Sequence, residues 1–342
     1  MQVMTRTKHA IVLVRLLPVL ALAVSGHAAP SPVAHTFSIV ARDPATGELG
    51  VAVQSHYFSV GPVVPWAEAG VGAVATQSLV LVDYGPRGLD LMRRGMTARQ
   101  ALDSLLQADS HNEGRQVAMV DARGDVAVHT GKNCIPDAGH QTGNQYSVQA
   151  NLMASNKVWP AMAEAFERAR GDLAERMLQA LEAGQKAGGD IRGKQSAAIV
   201  VVRAQSTGKP WKDWVYNLRV EDNAEPIKEL RRLVRLQRAY NLNTRGDDFI
   251  VEQKTAEAMK AYEESAKLAP EVVELQFWAA LTMYTNGREA EALKLFGEVF
   301  SRERLWVDLI PRLAKVGLFP DDPKKIEEVQ RAMRPTRVNR RR

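Results

Sequence analysis

The residue with the most chemistry open to it is Thr36, which heads the stretch TFSIVARDPATGELGVAVQS. A threonine hydroxyl attacks a carbonyl only when a base takes its proton. The nearest base in sequence is its own α-amine, provided the mature chain begins at Thr36. That amine titrates near pH 8 and keeps a useful neutral fraction at pH 7. With any residue ahead of it, Thr36 is an ordinary strand residue. A second nucleophile, Cys134, lies in CIPDAGH, with His140 six residues away across a loop that permits contact without compelling it. A buried, inert thiol is the favoured reading of Cys134. Ser55 and His56 are sequence neighbours, so on a strand their side chains face opposite ways and form no dyad.

Other polar residues suit binding. Gln77 and Asn151 end apolar runs, where an amide donor could meet an oxyanion or a substrate amide, although satisfied structural hydrogen bonds explain both. Arg42 and Asp43 could pair with Asp190 and Arg192 of GGDIRGKQ, a glycine-rich loop ending at Gln195 whose backbone could approach a ligand closely. The plain alternative is a charged turn. The seven histidines have no paired ligand spacing, so no metal site is expected. Neither standard phosphate-binding glycine loop occurs, and no cofactor is expected.

The elements that must hold these residues change character along the chain. TFSIVAR and ELGVAVQ, joined by DPATG, read as a hairpin, and VGAVATQ as a third strand reached through a rigid loop, VGPVVPWAEAGVG. Two helices follow, the second capped by Thr97, and then the strands RQVAMVD, DVAVHTG and YSVQANL. Helices over 158–169 and 172–186 precede SAAIVVVR and DWVYNLRV. Strands and helices segregated in blocks favour α+β layers over a doubly wound parallel sheet. From about Pro226 the chain is helical, and Ala258 and Tyr262 recur 34 residues later as Ala292 and Phe296, the tetratricopeptide period. Such a region suits a protein or peptide partner or an oligomer interface; a helical cap on the first domain fits as well.

Arg6, Lys8 and Arg15, an apolar run from Leu16 to Val24, and the small residues before Ala29 have the order of a secretory signal. Cleavage after Ala28 is expected, with export to a periplasmic or extracellular space; an uncleaved membrane anchor is the alternative. Losing residues 1–28 removes three positive charges and no acid from a chain of formal net charge +6, and six arginines lie in the last twelve residues. The body is therefore not basic, and specific nucleic-acid binding is not expected. One cysteine allows no intrachain disulfide, so the core alone must hold the fold. The expected organisation is a signal over 1–28, a short segment over 29–35, an α+β domain over 36–225, a helical region over 226–330 and a basic tail over 331–342.

The segments TFSIVARDPATGELGVAVQS, VGPVVPWAEAGVGAVATQ, YGPRGLDLM, VDARGDVAVHTG, AGHQTGNQYSVQANLM and AGGDIRGKQSAAIVVVR resemble, in order and spacing, the domain-of-unknown-function 1028 family. The likeness runs from Thr36 to about Leu233. It implies the four-layer αββα sandwich of N-terminal-nucleophile hydrolases and places Thr36 where the nucleophile would be, but implies no assigned substrate. Two departures stand out. Gln54 and Ser55 lie where threonine-type members carry an acid, and no Lys or Arg occurs between Asp43 and Arg87 to supply the usual cation. The expectation is an exported amide- or peptide-bond hydrolase using Thr36 after processing, acting on a small amide or peptide. The alternative is a non-catalytic member that binds a ligand or assembles as a homo-oligomer, with the helical region recruiting a partner.

Overall fold

The computed structural model describes residues 33–332; the expected signal, most of the segment ahead of Thr36 and most of the basic tail lie outside the described residues. Eleven strands are described: β1 (Val33–Ala34), β2 (Thr36–Arg42), β3 (Leu49–Ser55), β4 (Pro65–Glu68), β5 (Gly72–Leu79), β6 (Arg115–Asp121), β7 (Val126–Thr130), β8 (Gly139–Gly143), β9 (Tyr146–Ala150), β10 (Ser196–Val202) and β11 (Trp214–Val220). The helices among them are α1 (Tyr84–Arg93), α2 (Ala98–Ala108), α3 (Val158–Arg168), α4 (Leu173–Lys186) and the short α5 (Pro210–Asp213). Then come α6 (Pro226–Val251), α7 (Thr255–Leu268), α8 (Val273–Thr285), α9 (Glu289–Arg302), α10 (Ile310–Lys315) and α11 (Pro323–Arg331).

The β2–β3 hairpin forms because Asp43 ties its own turn, its carboxylate accepting the amides of Ala45 (2.8 Å) and Thr46 (3.2 Å), while Gly47 takes the positive φ of 76° that closes it. Thr97 caps α2 in a reciprocal box with Gln100. Two segments differ from expectation. Pro65–Glu68, expected as loop, is strand β4: its proline is the first residue of an edge strand, where no ladder donor is needed. Gly139–Gly143 is strand β8, although GHQTG carries no apolar residue, because pairing with β9 supplies its hydrogen bonds.

All pairings are antiparallel. The first sheet runs β1-β5-β6-β7 with β4 also on β5, and the second runs β11-β10-β3-β2-β9-β8. Alternation along each strand sorts side chains to two faces. Val40, Val51, Val53, Ala73, Ala75, Ala118, Val120, Ala198 and Val200 meet in one apolar cluster drawn from both sheets. The other face of the first sheet packs Val74, Val117 and Met119 against Leu89 of α1 and Leu102 of α2. The other face of the second packs Phe37, Ile39 and Ile199 against Met162, Phe166, Leu178 and Leu181 of α3 and α4. The protein is thus a mixed α/β structure of antiparallel sheets followed by a helical region.

The helix α6 serves both parts. Ile227, Leu230 and Val234 lie in the core beneath the second sheet, whereas Ala239 packs with Ala269 and Leu275 of the helical region. The expected boundary at 225/226 therefore precedes a helix that the two parts share. Beyond it, Phe277, Tyr284, Phe296 and Phe319 build an aromatic core, with Phe277 and Phe296 ring centroids 5.7 Å apart.

Candidate active site

The apolar layer between the sheets gives way at one end to polar residues. Thr36 and Ser38 on β2, Ser55 on β3, Gln77 on β5, Gln116 on β6, Ser147 and Gln149 on β9, and Asn151 just after it are all fully buried. Buried polar groups persist only when their hydrogen bonds are made, and these make them with one another. Ser38 donates to Gln77 Oε1 (2.6 Å), Gln77 Nε2 to Gln116 Oε1 (2.7 Å), Gln149 Nε2 to Ser38 Oγ (2.6 Å) and Asn151 Nδ2 to Gln116 Oε1 (2.9 Å). Gln116 Nε2 in turn reaches the Ala150 carbonyl and Thr130 Oγ1, each at 2.9 Å. The network joins the two sheets.

At its edge the chain itself crosses from sheet to sheet. Ala34 pairs with Ser78 in the first sheet and Thr36 with Ser55 in the second, so His35 alone bridges them. Its carbonyl oxygen, which belongs to the His35–Thr36 peptide bond, receives two donors: Ser55 Oγ at 2.6 Å and Arg192 Nη2 at 2.8 Å. Thr36 Oγ1 lies beside them, 2.7 Å from the Ala34 carbonyl oxygen and 3.3 Å from Ser55 Oγ. The Arg192 guanidinium is aimed by Asp190, which it meets through Nε (3.0 Å) and Nη2 (2.7 Å). The Asp190 side chain is fully buried, and it also accepts the amides of Arg192 (2.9 Å) and His56 (3.1 Å). A bidentate, buried carboxylate fixes a guanidinium well. Two donors converging on one carbonyl oxygen polarise it and would hold negative charge developing there.

His35 Nδ1 lies 2.8 Å from Asn151 Oδ1. Because the Asn151 amide nitrogen is turned to Gln116, its oxygen faces the imidazole, and Nδ1 carries the proton. Burial, opposed by that hydrogen bond and assisted by the Arg192 charge, holds the His35 pKa below the usual 6.5. The unfolded chain then binds more protons than the folded one at acidic pH, so this contribution to stability is complete above about pH 6.5 and is lost as pH falls below it. In a chain that retains His35, urea midpoints measured from pH 7.5 to 5.5 should fall less steeply for His35→Gln than for the unsubstituted protein.

Several residues singled out in the sequence are not gathered here. Arg42 and Asp43 sit at the opposite end of β2 from Thr36: Arg42 donates to Gln145 Oε1 (2.6 Å) and Asp43 faces Arg176 (3.4 Å). The candidate pairing with Asp190 and Arg192 does not form, since a strand of this length separates the two pairs, and Asp190 and Arg192 instead pair with each other. Gln195 contributes by its backbone, its amide donating to the Ser55 carbonyl (3.1 Å). The alternative pairing of Cys134 with His140 does not form either: the thiol donates to the Arg115 carbonyl (3.4 Å) and His140 Nδ1 meets Thr130 Oγ1 (2.8 Å). Burial pushes the Cys134 thiol pKa up, which opposes thiolate formation. Gln54 points to the helix side of its sheet, away from Thr36, where neither amide atom has a partner.

Ser38, Gln116, Ser147, Gln149 and His35 were not singled out. The signal for most was period-two polarity inside apolar strands, as in Thr36 and Ser38, or Ser147, Gln149 and Asn151. No cluster of metal-binding side chains is found among the described residues.

The model of the "Family of unknown function (DUF1028)" matches residues 36–230, more than half of the chain. The protein belongs to this family. Among solved structures, the crystal structure of protein SPO2555 from Silicibacter pomeroyi, assigned to the DUF1028 family model, is 30% identical. The likeness covers 58% of this chain and 87% of that one, with a TM-score of 0.53. No curated protein matches the chain. The match begins at Thr36, the residue on which the site is centred, and ends within α6.

Proposed function

We propose that this DUF1028 protein is an amide- or peptide-bond hydrolase of the N-terminal-nucleophile type, armed by cleavage of its own His35–Thr36 bond. The observation that carries the reading is the pair of donors, Ser55 Oγ and Arg192 Nη2, on the His35 carbonyl next to the Thr36 hydroxyl. Attack by Thr36 Oγ on that carbonyl carbon forms an ester as the C–N bond breaks, the hydroxyl proton passing to the departing amine. Water then hydrolyses the ester, leaving a His35 carboxylate and a Thr36 with both its hydroxyl and a free α-amine. The amine takes the hydroxyl proton in later turnovers. Arg192 supplies the cation absent from the third strand and favours the neutral amine. The packing of α1 and α2 on one sheet, α3 and α4 on the other, and apolar residues between supports a four-layer αββα reading. Export through residues 1–28 fits such an enzyme, and the substrate class would be a small amide or peptide.

Intact mass and N-terminal sequencing of the purified full chain test this. A mature end at Thr36 is expected; a chain that retains His35 after prolonged incubation overturns the reading. Arg192→Ala, which removes one donor from the carbonyl, should slow cleavage by about 10²–10³-fold, measured well below the melting temperature because the buried Asp190 carboxylate also loses its cation.

A second reading concerns the helical region. The helices α7 and α9 begin 34 residues apart and are both 14 residues long, and Ala258, Tyr262, Ala292 and Phe296 occupy matching buried places. This supports a tetratricopeptide-like hairpin able to take a peptide partner or a second copy of the chain.

A further inference from the structure

A cleft of about 860 Å³ opens between β11 and α6, well away from Thr36. Its size is that of a small-molecule site. One wall carries Trp211 and Trp214, which are 69% and 49% exposed. Large aromatic rings left in water cost burial that a fold ordinarily gains, and here both are held out by specific devices. The Asp213 carboxylate, itself buried, accepts Thr207 N (2.8 Å), Thr207 Oγ1 (2.7 Å) and Ser206 Oγ (2.8 Å), pinning the turn that bears Trp211. A register shift in the β10–β11 ladder, where Val201 pairs with Tyr216 and Val202 with Trp214, re-aims Trp214.

The opposite wall is one face of α6. Gln237, Asn241, Thr244 and Asp248 recur at helical spacing along it. Among the described residues, the side chains of Thr244, Asp248 and the facing Asn217 make no hydrogen bond, so their polar atoms are free for a ligand. The charges in the cleft balance, Arg203 and Arg245 against Glu48 and Asp248, while Arg238 is engaged by Asp172 and Glu175. The lining therefore selects neither an anion nor a cation.

We infer that this cleft binds a neutral oligosaccharide. The apolar, slightly positive C–H faces of a pyranose ring stack on the electron-rich faces of tryptophan. Its hydroxyls, each donor and acceptor, match the amide and carboxylate groups opposite. Leu242 and Leu268 also line the cleft, so an apolar peptide side chain is the competing occupant that the test must separate from a sugar. The site is independent of Thr36 and of its processing.

Isothermal titration of the full chain with cellohexaose, maltohexaose and chitohexaose tests the inference, with a mixed-sequence hexapeptide as the competing ligand. Saturable binding of at least one hexasaccharide is expected, weakened by about tenfold or more, or 1.4 kcal/mol, in both Trp211→Ala and Asn241→Ala, with unchanged melting temperatures. Failure of all three sugars to bind overturns it, as does sugar binding that survives both substitutions, or hexapeptide binding in the cleft without sugar binding.

Discussion

A Thr36→Ala chain is expected to remain a single uncut species on intact-mass analysis and to lose all amide hydrolysis that the cut protein shows. Alanine ends at its β-carbon, so no oxygen lone pair is left at this position to attack the His35 carbonyl. Ser55 already donates to the carbonyl oxygen, so it is placed to stabilise charge there rather than to attack carbon. Stability should fall by about 1 kcal/mol, because the Ala34 carbonyl loses its side-chain donor whereas Ser55 Oγ keeps its bond to the His35 carbonyl. Thr36→Ser should restore the cut, since it returns the hydroxyl. If Thr36→Ala is still cut at His35–Thr36, the nucleophile is elsewhere; if it is uncut yet fully active, the activity does not use a free Thr36 amine.

The largest loss of stability is expected from Gln116→Met. The replacement fills much the same volume but makes none of the bonds. The amide nitrogens of Gln77 and Asn151 lose their shared acceptor and are left with longer bonds to the Thr36 carbonyl (3.2 and 3.5 Å), and the Ala150 carbonyl loses its side-chain donor, all in a buried layer. A buried polar group left unsatisfied costs about 1–3 kcal/mol, and with one such group and two weakened donors the substitution should remove about 2–4 kcal/mol. Urea unfolding should give a lower midpoint with an unchanged slope. A loss under about 1 kcal/mol would mean that water takes over the bonds and that the network does not hold the sheets together.

Much of the framework was legible in the sequence because strand alternation and helix caps are local. The hairpin at Asp43–Gly47, the cap at Thr97 and the 34-residue recurrence of Ala258 and Tyr262 each rest on residues a few positions apart or on a simple period. Strands β4 and β8 were not legible, one hidden by its proline and the other by its polarity, because each owes its form to the strand beside it. The site divides in the same way. Thr36 is evident from its place, whereas the partners of Arg192 stay open in the sequence. What decides its position is which end of β2 the glycine-rich loop meets, and that depends on how β10 registers against β3. A lone carboxylate or guanidinium gives no local clue to such a meeting. The polar residues of β9, by contrast, were readable in principle, since Ser147, Gln149 and Asn151 repeat every second position in an otherwise apolar strand.

The crossing at His35 has one more consequence. Its carbonyl is gripped by residues 20 and 157 positions downstream, and the second of these arrives only when the loop ahead of β10 has settled. On the proposed reading, a nascent chain, or one whose β10 has not docked, has the bond to be cut but not the grip. Self-cleavage would then act as a proofreading step: each molecule reports the completion of its own folding once, irreversibly, and misassembled copies remain inert precursors.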